Sequence, residues 1–126
     1  MKHFILCIAI MLIFLGCKKD EAPLEGINLA KQGCGSSDML WLSDLIAKAD
    51  EDKASMKYSG AYLGTIYMTT YKNNNVFMIT MMLNSGGVMF HAYDCNHQVV
   101  QLTENEAVTF YSQTLKNGKV VYTNFP

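Results

Sequence analysis

The chain has 126 residues, of which 50% are hydrophobic and 17% are charged, and its formal net charge is −1. This length and balance predict one globular domain with a single core. Every basic residue is a lysine, whereas arginine is the side chain that best makes paired hydrogen bonds to phosphates and base edges. The composition therefore argues against a nucleic-acid-binding protein.

The N-terminal segment has the form of a signal peptide. A short basic start is followed by twelve uninterrupted apolar residues, 4–15, and then by Gly16 and Cys17. A permanent transmembrane helix needs about 20 apolar residues, so this run fits the core of a cleaved leader. The alternatives are an ordinary secretory signal in which the cysteine has no role, and a true transmembrane anchor.

Leu15-Gly16-Cys17 resembles the lipobox of bacterial lipoproteins. The resemblance implies that residues 1–16 are a lipoprotein signal peptide and that Cys17 is acylated, which anchors the chain through several acyl chains. The four residues that follow, 18–21, resemble the lysine-plus-acidic export signal of the Bacteroidota. This second resemblance implies an outer membrane lipoprotein exposed at the cell surface, with a periplasm-facing location as the alternative.

Residues 17–33 are predicted to form a lipidated, flexible tether. The stretch is polar and shows no sustained period. It also contains Pro23, Gly26 and Gly33, which are typical of linkers. A single folded domain is then expected over residues 34–126.

Four cysteines are present, and they have different expected fates. Cys7 lies inside the leader. If Cys17 becomes the mature N-terminus, Cys34 and Cys95 are the two that remain in the folded part. An even pair in an exported chain predicts one disulfide. Because the two are remote in sequence and no CxxC motif is present, we expect the disulfide to be structural.

A helix of about 14 residues is predicted to begin after Ser36 or Ser37, either of which would be a suitable N-cap. Trp41 lies beside the apolar stripe of this helix, and we expect it to be a core anchor rather than a platform for a ligand. The stripe recurs at helical spacing and consists of Met39, Leu42, Leu45, Ile46 and Ala49.

An antiparallel meander is predicted in the middle of the chain, where Tyr, Thr, Ile and Val become frequent. Runs of Asn and Gly break the pattern at residues 73–75 and 85–87, and a further turn is expected at 94–97. The predicted strands are residues 62–71, 76–83, 88–95 and 98–102.

The segment after Thr103 has two interpretations. Thr103 and Glu106 have capping-box spacing, which favours a helix. The alternative is a hairpin that turns at Asn117-Gly118. Residues 119–124 are predicted to be the last strand. The fold class is therefore α+β, with an antiparallel sheet of four to five strands, an N-terminal helix and a second helix packed on one face.

Copper binding and hydrolysis are the two kinds of chemistry that the residue types suggest. Four methionines near the central hairpin, together with Cys95 and His97, could handle copper, because thioethers suit Cu(I). However, methionine is an ordinary core filler, and alternation along a strand separates these four side chains between two faces. No GxSxG or HExxH motif is present, so neither an enzyme nor a cofactor is predicted. The four methionines are Met78, Met81, Met82 and Met89.

Tyrosines make up a candidate binding surface, because an uncovered face of the sheet would display Tyr and Thr, which suit protein or glycan contacts. The alternative is that the tyrosines pave a half-buried sheet. The candidate residues are Tyr62, Tyr67, Tyr71 and Tyr93.

The whole pattern resembles the small uncharacterised single-domain lipoproteins of the Bacteroidota. The matching features are the lipobox, Cys34, Trp41 and Tyr93-Asp94-Cys95. Several such domains look like protease- or lactamase-inhibitor folds. We therefore expect a non-enzymatic, lipid-anchored cell-envelope domain that binds a protein or saccharide. The alternatives are an envelope inhibitor or immunity-type protein and, less favoured, a copper-handling protein.

Overall fold

The structure, a computed structural model, describes residues 22–36, 38–56, 63–81 and 89–125. The elements are α1 (Ala22–Cys34), α2 (Leu40–Ala54), β1 (Thr65–Tyr71), β2 (Asn74–Ile79), β3 (His91–Asp94), α3 (Glu104–Asn117) and β4 (Lys119–Thr123). The strands form an antiparallel sheet in the order β3-β2-β1-β4. The predicted α+β class is confirmed. Among the described residues, no helix is both long enough and apolar enough to cross a membrane.

The β1–β2 connection is a two-residue hairpin turn. Tyr71 pairs with Asn74, which leaves Lys72 and Asn73 at the tip. Both tip residues have a left-handed backbone, with φ of 47° and 65°. Positive φ at both positions is what a type I′ turn requires, and asparagine tolerates it. The break predicted at residues 73–75 therefore lies slightly too far along the chain, and the two asparagines after the tip begin β2.

Helices cover both faces of the sheet. α1 and α2 pack on the face that carries Phe77 and Ile79. α3 packs on the other face, where Phe110 joins Val76 and Met78. The second predicted helix, α3, thus lies opposite the first rather than beside it. The physical reason is that β2 carries apolar side chains on both sides, so both faces must be shielded from water.

α1 occupies most of the stretch that was predicted to be a flexible tether. Residues 22–34 are helical, and Ile27 and Ala30 are buried in the core. The prediction of a flexible tether over residues 17–33 is therefore wrong from residue 22 onward. Proline is tolerated in the first turn of a helix, so Pro23 does not prevent this helix from forming.

Glycine lets α1 lie directly on the sheet. A Cβ added at Gly26 would overlap the carbonyl oxygen of Val121 in β4. A Cβ added at Gly33 would lie 2.6 Å from the sulfur of Met68. Ala30, between these two glycines, is fully buried. The glycines that resembled linker residues in the sequence are therefore points of close approach between backbone and sheet.

The helix predicted after residue 36 is α2, and its apolar stripe is buried. Its N-cap is Met39 rather than Ser36 or Ser37, and Ser37 lies outside the described residues. The carboxylate of Asp38 accepts a hydrogen bond of 2.9 Å from the backbone N–H of Leu40. One of the free N–H groups at the start of the helix is satisfied in this way.

The outer edge of β3 is covered by the segment that follows it. The backbone N–H of Asp94 donates to the carbonyl of Gln98 at 2.9 Å. The strand predicted over residues 98–102 is reduced to one bridge, between Tyr93 and Val99. The turn predicted at residues 85–87 lies outside the described residues.

The helix interpretation of the segment after Thr103 is confirmed, and Thr103 and Glu106 form the predicted capping box. Glu106 also accepts hydrogen bonds from the hydroxyl of Tyr71 at 3.0 Å and from the ammonium of Lys72 at 2.9 Å. These contacts join α3 to the tip of the β1–β2 hairpin. The bond from Lys72 is the main cause that lowers the pKa of Glu106 from 4.5 to about 2.

Gly26→Ala is predicted to destabilise the protein. Helix propensity alone would favour alanine by about 0.5–1 kcal/mol. Overlap with the Val121 carbonyl should reverse the sign and cost about 1–3 kcal/mol, as overpacking usually does. Denaturant unfolding of the full chain measures the difference, with Gln32→Ala, at an exposed position of the same helix, as the control. A stabilised Gly26→Ala variant would contradict the close approach.

Glu106→Gln is predicted to make the stability of the protein fall less steeply as the pH is lowered. Because the pKa of Glu106 is lower in the folded chain, its contribution is present above pH 4.5 and is lost as the pH falls toward 2. Glutamine can keep the capping box but carries no charge. Melting temperatures between pH 6 and about pH 2 test this. Glu104→Gln, in the same helical turn, should keep the wild-type slope, and equal slopes for all three proteins would contradict the assignment.

Candidate ligand-binding cleft

The four tyrosines predicted to form a binding surface do not lie together. Tyr67 and Tyr71 are half-buried on the face covered by α3, where Tyr71 meets Phe110 edge to face. Tyr93 is half-buried on the opposite face. Tyr62 lies outside the described residues. The three described tyrosines therefore pave a sheet covered on both sides, as the alternative interpretation held.

Cys34 and Cys95 lie at disulfide distance, with their Cα atoms 5.6 Å apart. The bond joins the last residue of α1 to the turn after β3. A structural link of this kind constrains the unfolded chain more strongly when the closed loop is long. Cys17, the predicted lipidation site, lies outside the described residues.

The turn after β3, predicted at residues 94–97, is organised by an aspartate. Oδ1 of Asp94 accepts hydrogen bonds from the backbone N–H groups of Asn96 at 2.8 Å and Gln98 at 2.9 Å. His97 has a left-handed backbone, with φ of 62°. This local network fixes the turn that carries Cys95.

Trp41 anchors this turn to the core, in agreement with the prediction. The imidazole of His97 stacks on the indole with ring centroids 4.5 Å apart, and Phe77 meets the indole edge to face at 5.5 Å. The indole N–H donates to the carbonyl of Cys95 at 3.3 Å. Because His97 covers one face of the indole, the tryptophan is a structural contact in this turn.

A cleft of about 630 Å³ opens beside the cysteine pair. We call it the amide cleft. Its volume lies within the range of small-molecule binding sites. Its walls are the hairpin tip and start of β2 (71–76), the end of α1 (33–34), the turn after β3 (94–96) and residues 100–101.

Amide side chains dominate the rim of the amide cleft. Asn75 donates its side-chain N–H to the carbonyl of Gly33 and thereby ties β2 to α1. The side chains of Asn73, Asn96 and Gln101 are exposed and have no hydrogen-bond partner among the described residues. These three amides are therefore available to a ligand.

The two charged groups that line the amide cleft, Lys72 and Asp94, both make contacts within the chain. The ammonium of Lys72 lies 2.9 Å from a carboxylate oxygen of Glu106. This ion pair raises the pKa of Lys72. One carboxylate oxygen of Asp94 accepts the two backbone N–H groups of its own turn. Lys72 therefore offers a ligand no unpaired positive charge, whereas the carboxylate of Asp94 keeps its negative charge while it orders the turn.

A second cavity, of about 740 Å³, lies between α1 and β4. Two of its charged groups, Lys53 and Asp50, make contacts that serve the fold, and a third, Glu25, is exposed. Lys53 donates to the carbonyl of Asn124 at 2.7 Å, and Asp50 accepts the hydroxyl hydrogen of Tyr122. Burial, followed by this hydrogen bond, raises the pKa of Tyr122. This cavity therefore offers a ligand fewer available polar side chains than the amide cleft does.

The methionines considered for copper do not converge. Met78 is buried on the α3 face, Met81 is buried on the opposite face, and Met89 is exposed. Met82 lies outside the described residues. Within residues 22–36, 38–56, 63–81 and 89–125, no group of three or more His, Cys, Asp or Glu side chains could hold a metal ion.

Comparison of the chain with protein-family models, with curated proteins and with solved structures finds no match.

The sequence predicts turns near the hairpin tip and after β3, but it does not indicate that either turn belongs to a binding site. Asn73 could have been singled out, since its side chain is polar and lies at an exposed tip. Asn96 and Gln101 carry no local signal, because only the pairing of β3 with β2 places them at one cleft with the hairpin tip.

Proposed function

We propose that the chain is a non-enzymatic, lipid-anchored domain of the cell envelope that binds a protein or saccharide ligand in the amide cleft. The observation that carries the proposal is a concave site with three neutral amide side chains, none of which has a partner among the described residues. Such groups give orientation and specificity to a bound ligand.

Anchoring at Cys17 would hold the domain close to the lipid surface. Because α1 begins at Ala22, the chain between the Cα atoms of Cys17 and Ala22 can span at most about 18 Å. The thirteen residues of α1 then extend for about 20 Å. Gly33 and Cys34, at the far end of α1, form part of the amide cleft. The helix therefore separates its own N-terminus, which the anchored segment joins, from the cleft by about this length.

This separation suits a domain that works at a surface. A ligand in the surrounding medium reaches the distal end of α1 more easily than the end beside the lipid. Tethering also raises the local concentration of the site, so that a modest affinity suffices. The lipobox resemblance and the charged residues 18–21 are what support a location at the outer membrane.

Mass spectrometry of the mature chain tests the anchor. We expect an N-terminal Cys17 that carries acyl groups, with residues 1–16 removed. The variant Cys17→Ser should be recovered without acylation and should leave the membrane fraction. An unmodified Cys17 in the wild-type chain, or cleavage at another position, would contradict lipid anchoring.

Gln101→Trp tests the cleft as the binding site. The larger side chain is expected to fill part of the cleft and to weaken binding to isolated envelope material by about tenfold or more, that is, by about 1.4 kcal/mol. The probe is envelope material from the organism that encodes the chain, and the protein is the full chain extracted in detergent.

Gln98→Trp is the matched control. Gln98 is exposed, lies three positions earlier on the same segment and does not line the amide cleft. The Gln98→Trp variant should bind envelope material as the wild-type chain does. Equal binding by all three proteins would show that the amide cleft is not the site.

A further inference from the structure

The chemistry of the amide cleft also indicates which class of ligand it accepts. We propose that the ligand is an uncharged saccharide, an inference that rests on the proposed function of the cleft as a binding site. The side chains of Asn73, Asn96 and Gln101 each offer one carbonyl acceptor and two N–H donors. Sugar hydroxyls both donate and accept hydrogen bonds, so a single amide can bind two neighbouring hydroxyls.

The arrangement of charge argues against an anionic ligand. Lys72 is paired with Glu106, and Asp94 is engaged by the backbone of its own turn. A phosphate or an acidic glycan would therefore meet no unpaired positive charge at Lys72 and would face the negative carboxylate of Asp94. Its desolvation would cost free energy that the cleft does not return. A neutral ligand carries no such cost.

The apolar content of the cleft argues against a protein partner. Protein interfaces depend on large apolar or arginine anchors that fill desolvated pockets. Among the residues that line the amide cleft, Val76 is buried in the hydrophobic cluster that contains Phe110, and the hydroxyl of Tyr71 already donates a hydrogen bond to Glu106. The described lining holds no exposed aromatic side chain.

The amides are held on rigid supports. Asn73 lies at the tip of a two-residue hairpin turn, and Asn96 lies in the turn organised by Asp94. The two turns are joined to α1 by the side chain of Asn75 and by the cysteine pair. Hydrogen bonds to neutral groups contribute little each, so binding through them depends on this preorganisation.

The test uses the same envelope material in three forms, which are untreated, digested with protease, or oxidised with periodate. Periodate cleaves the vicinal diols of sugar rings, whereas protease removes proteins and leaves saccharides. We expect the full chain to bind the untreated and protease-digested material and to lose binding after oxidation. Binding should change little in about 1 M sodium chloride, where the Debye length falls to about 3 Å.

The double variant Asn96→Ala/Gln101→Ala removes two of the amides. It should bind the protease-digested material about tenfold more weakly, as the loss of two hydrogen bonds between neutral groups implies. Asn105→Ala/Gln98→Ala is the matched control, since it removes the same two residue types at exposed positions outside the cleft. The control should bind as the wild-type chain does.

Each other outcome is decisive. Binding that is lost with protease and survives periodate, or that weakens about tenfold in high salt, overturns the uncharged saccharide. If that binding still depends on the cleft, as Gln101→Trp reports, the proposed function stands with a different ligand. If Gln101→Trp binds untreated material as the wild-type chain does, both proposals fall. If the Asn96→Ala/Gln101→Ala variant binds as tightly as the wild-type chain does, only the proposed role of the amides is overturned.

Discussion

The amide cleft exists because the C-terminal end of α1 is held against one end of the sheet. Two contacts hold it there: the bond between Cys34 and Cys95, and the hydrogen bond from Asn75 to the carbonyl of Gly33. The first joins α1 to the turn after β3, and the second joins it to β2. Without them the cleft would lose the wall formed by residues 33–34, and β2 alone would join the hairpin tip to the turn after β3.

The same end of the molecule also shows how charge is distributed between fold and surface. Ionised groups near the cleft are used internally: Glu106 caps α3 and binds the hairpin tip, and Asp94 orders its own turn. Neutral amides are what remains at the surface. Charge-assisted hydrogen bonds are stronger than neutral ones, so their use in the scaffold gives rigidity, while the neutral amides are left for the ligand that we propose.

Local patterns in the sequence predicted most of the elements, because each has a short-range physical cause. The capping box of Thr103 and Glu106 marks the start of α3, and the asparagine run marks a hairpin turn that needs positive φ. These features depend on residues within a few positions of one another. They are therefore visible without knowledge of the tertiary structure.

The features that sequence reasoning missed depend on contacts between distant segments. The sequence pattern did not predict α1, because the side of this helix that faces the sheet includes glycines. Glycines carry no hydrophobic signal but allow the backbone to approach β4. The position of α3 opposite α2 follows from the two-sided burial of β2, which a single apolar run does not distinguish from a one-sided strand. Asn96 and Gln101 become neighbours of one site only through this packing.

The position of the cysteine pair has a mechanical consequence in the anchored protein that we propose. A force that pulls the domain away from the lipid enters the chain at residue 17 and acts on the first turn of α1. Packing alone would let the helix peel from β4 one turn at a time. The covalent bond at Cys34 is the point at which peeling stops, and there the load passes to the turn after β3. The end of the domain that carries the cleft would keep its shape while the end nearest the membrane yields.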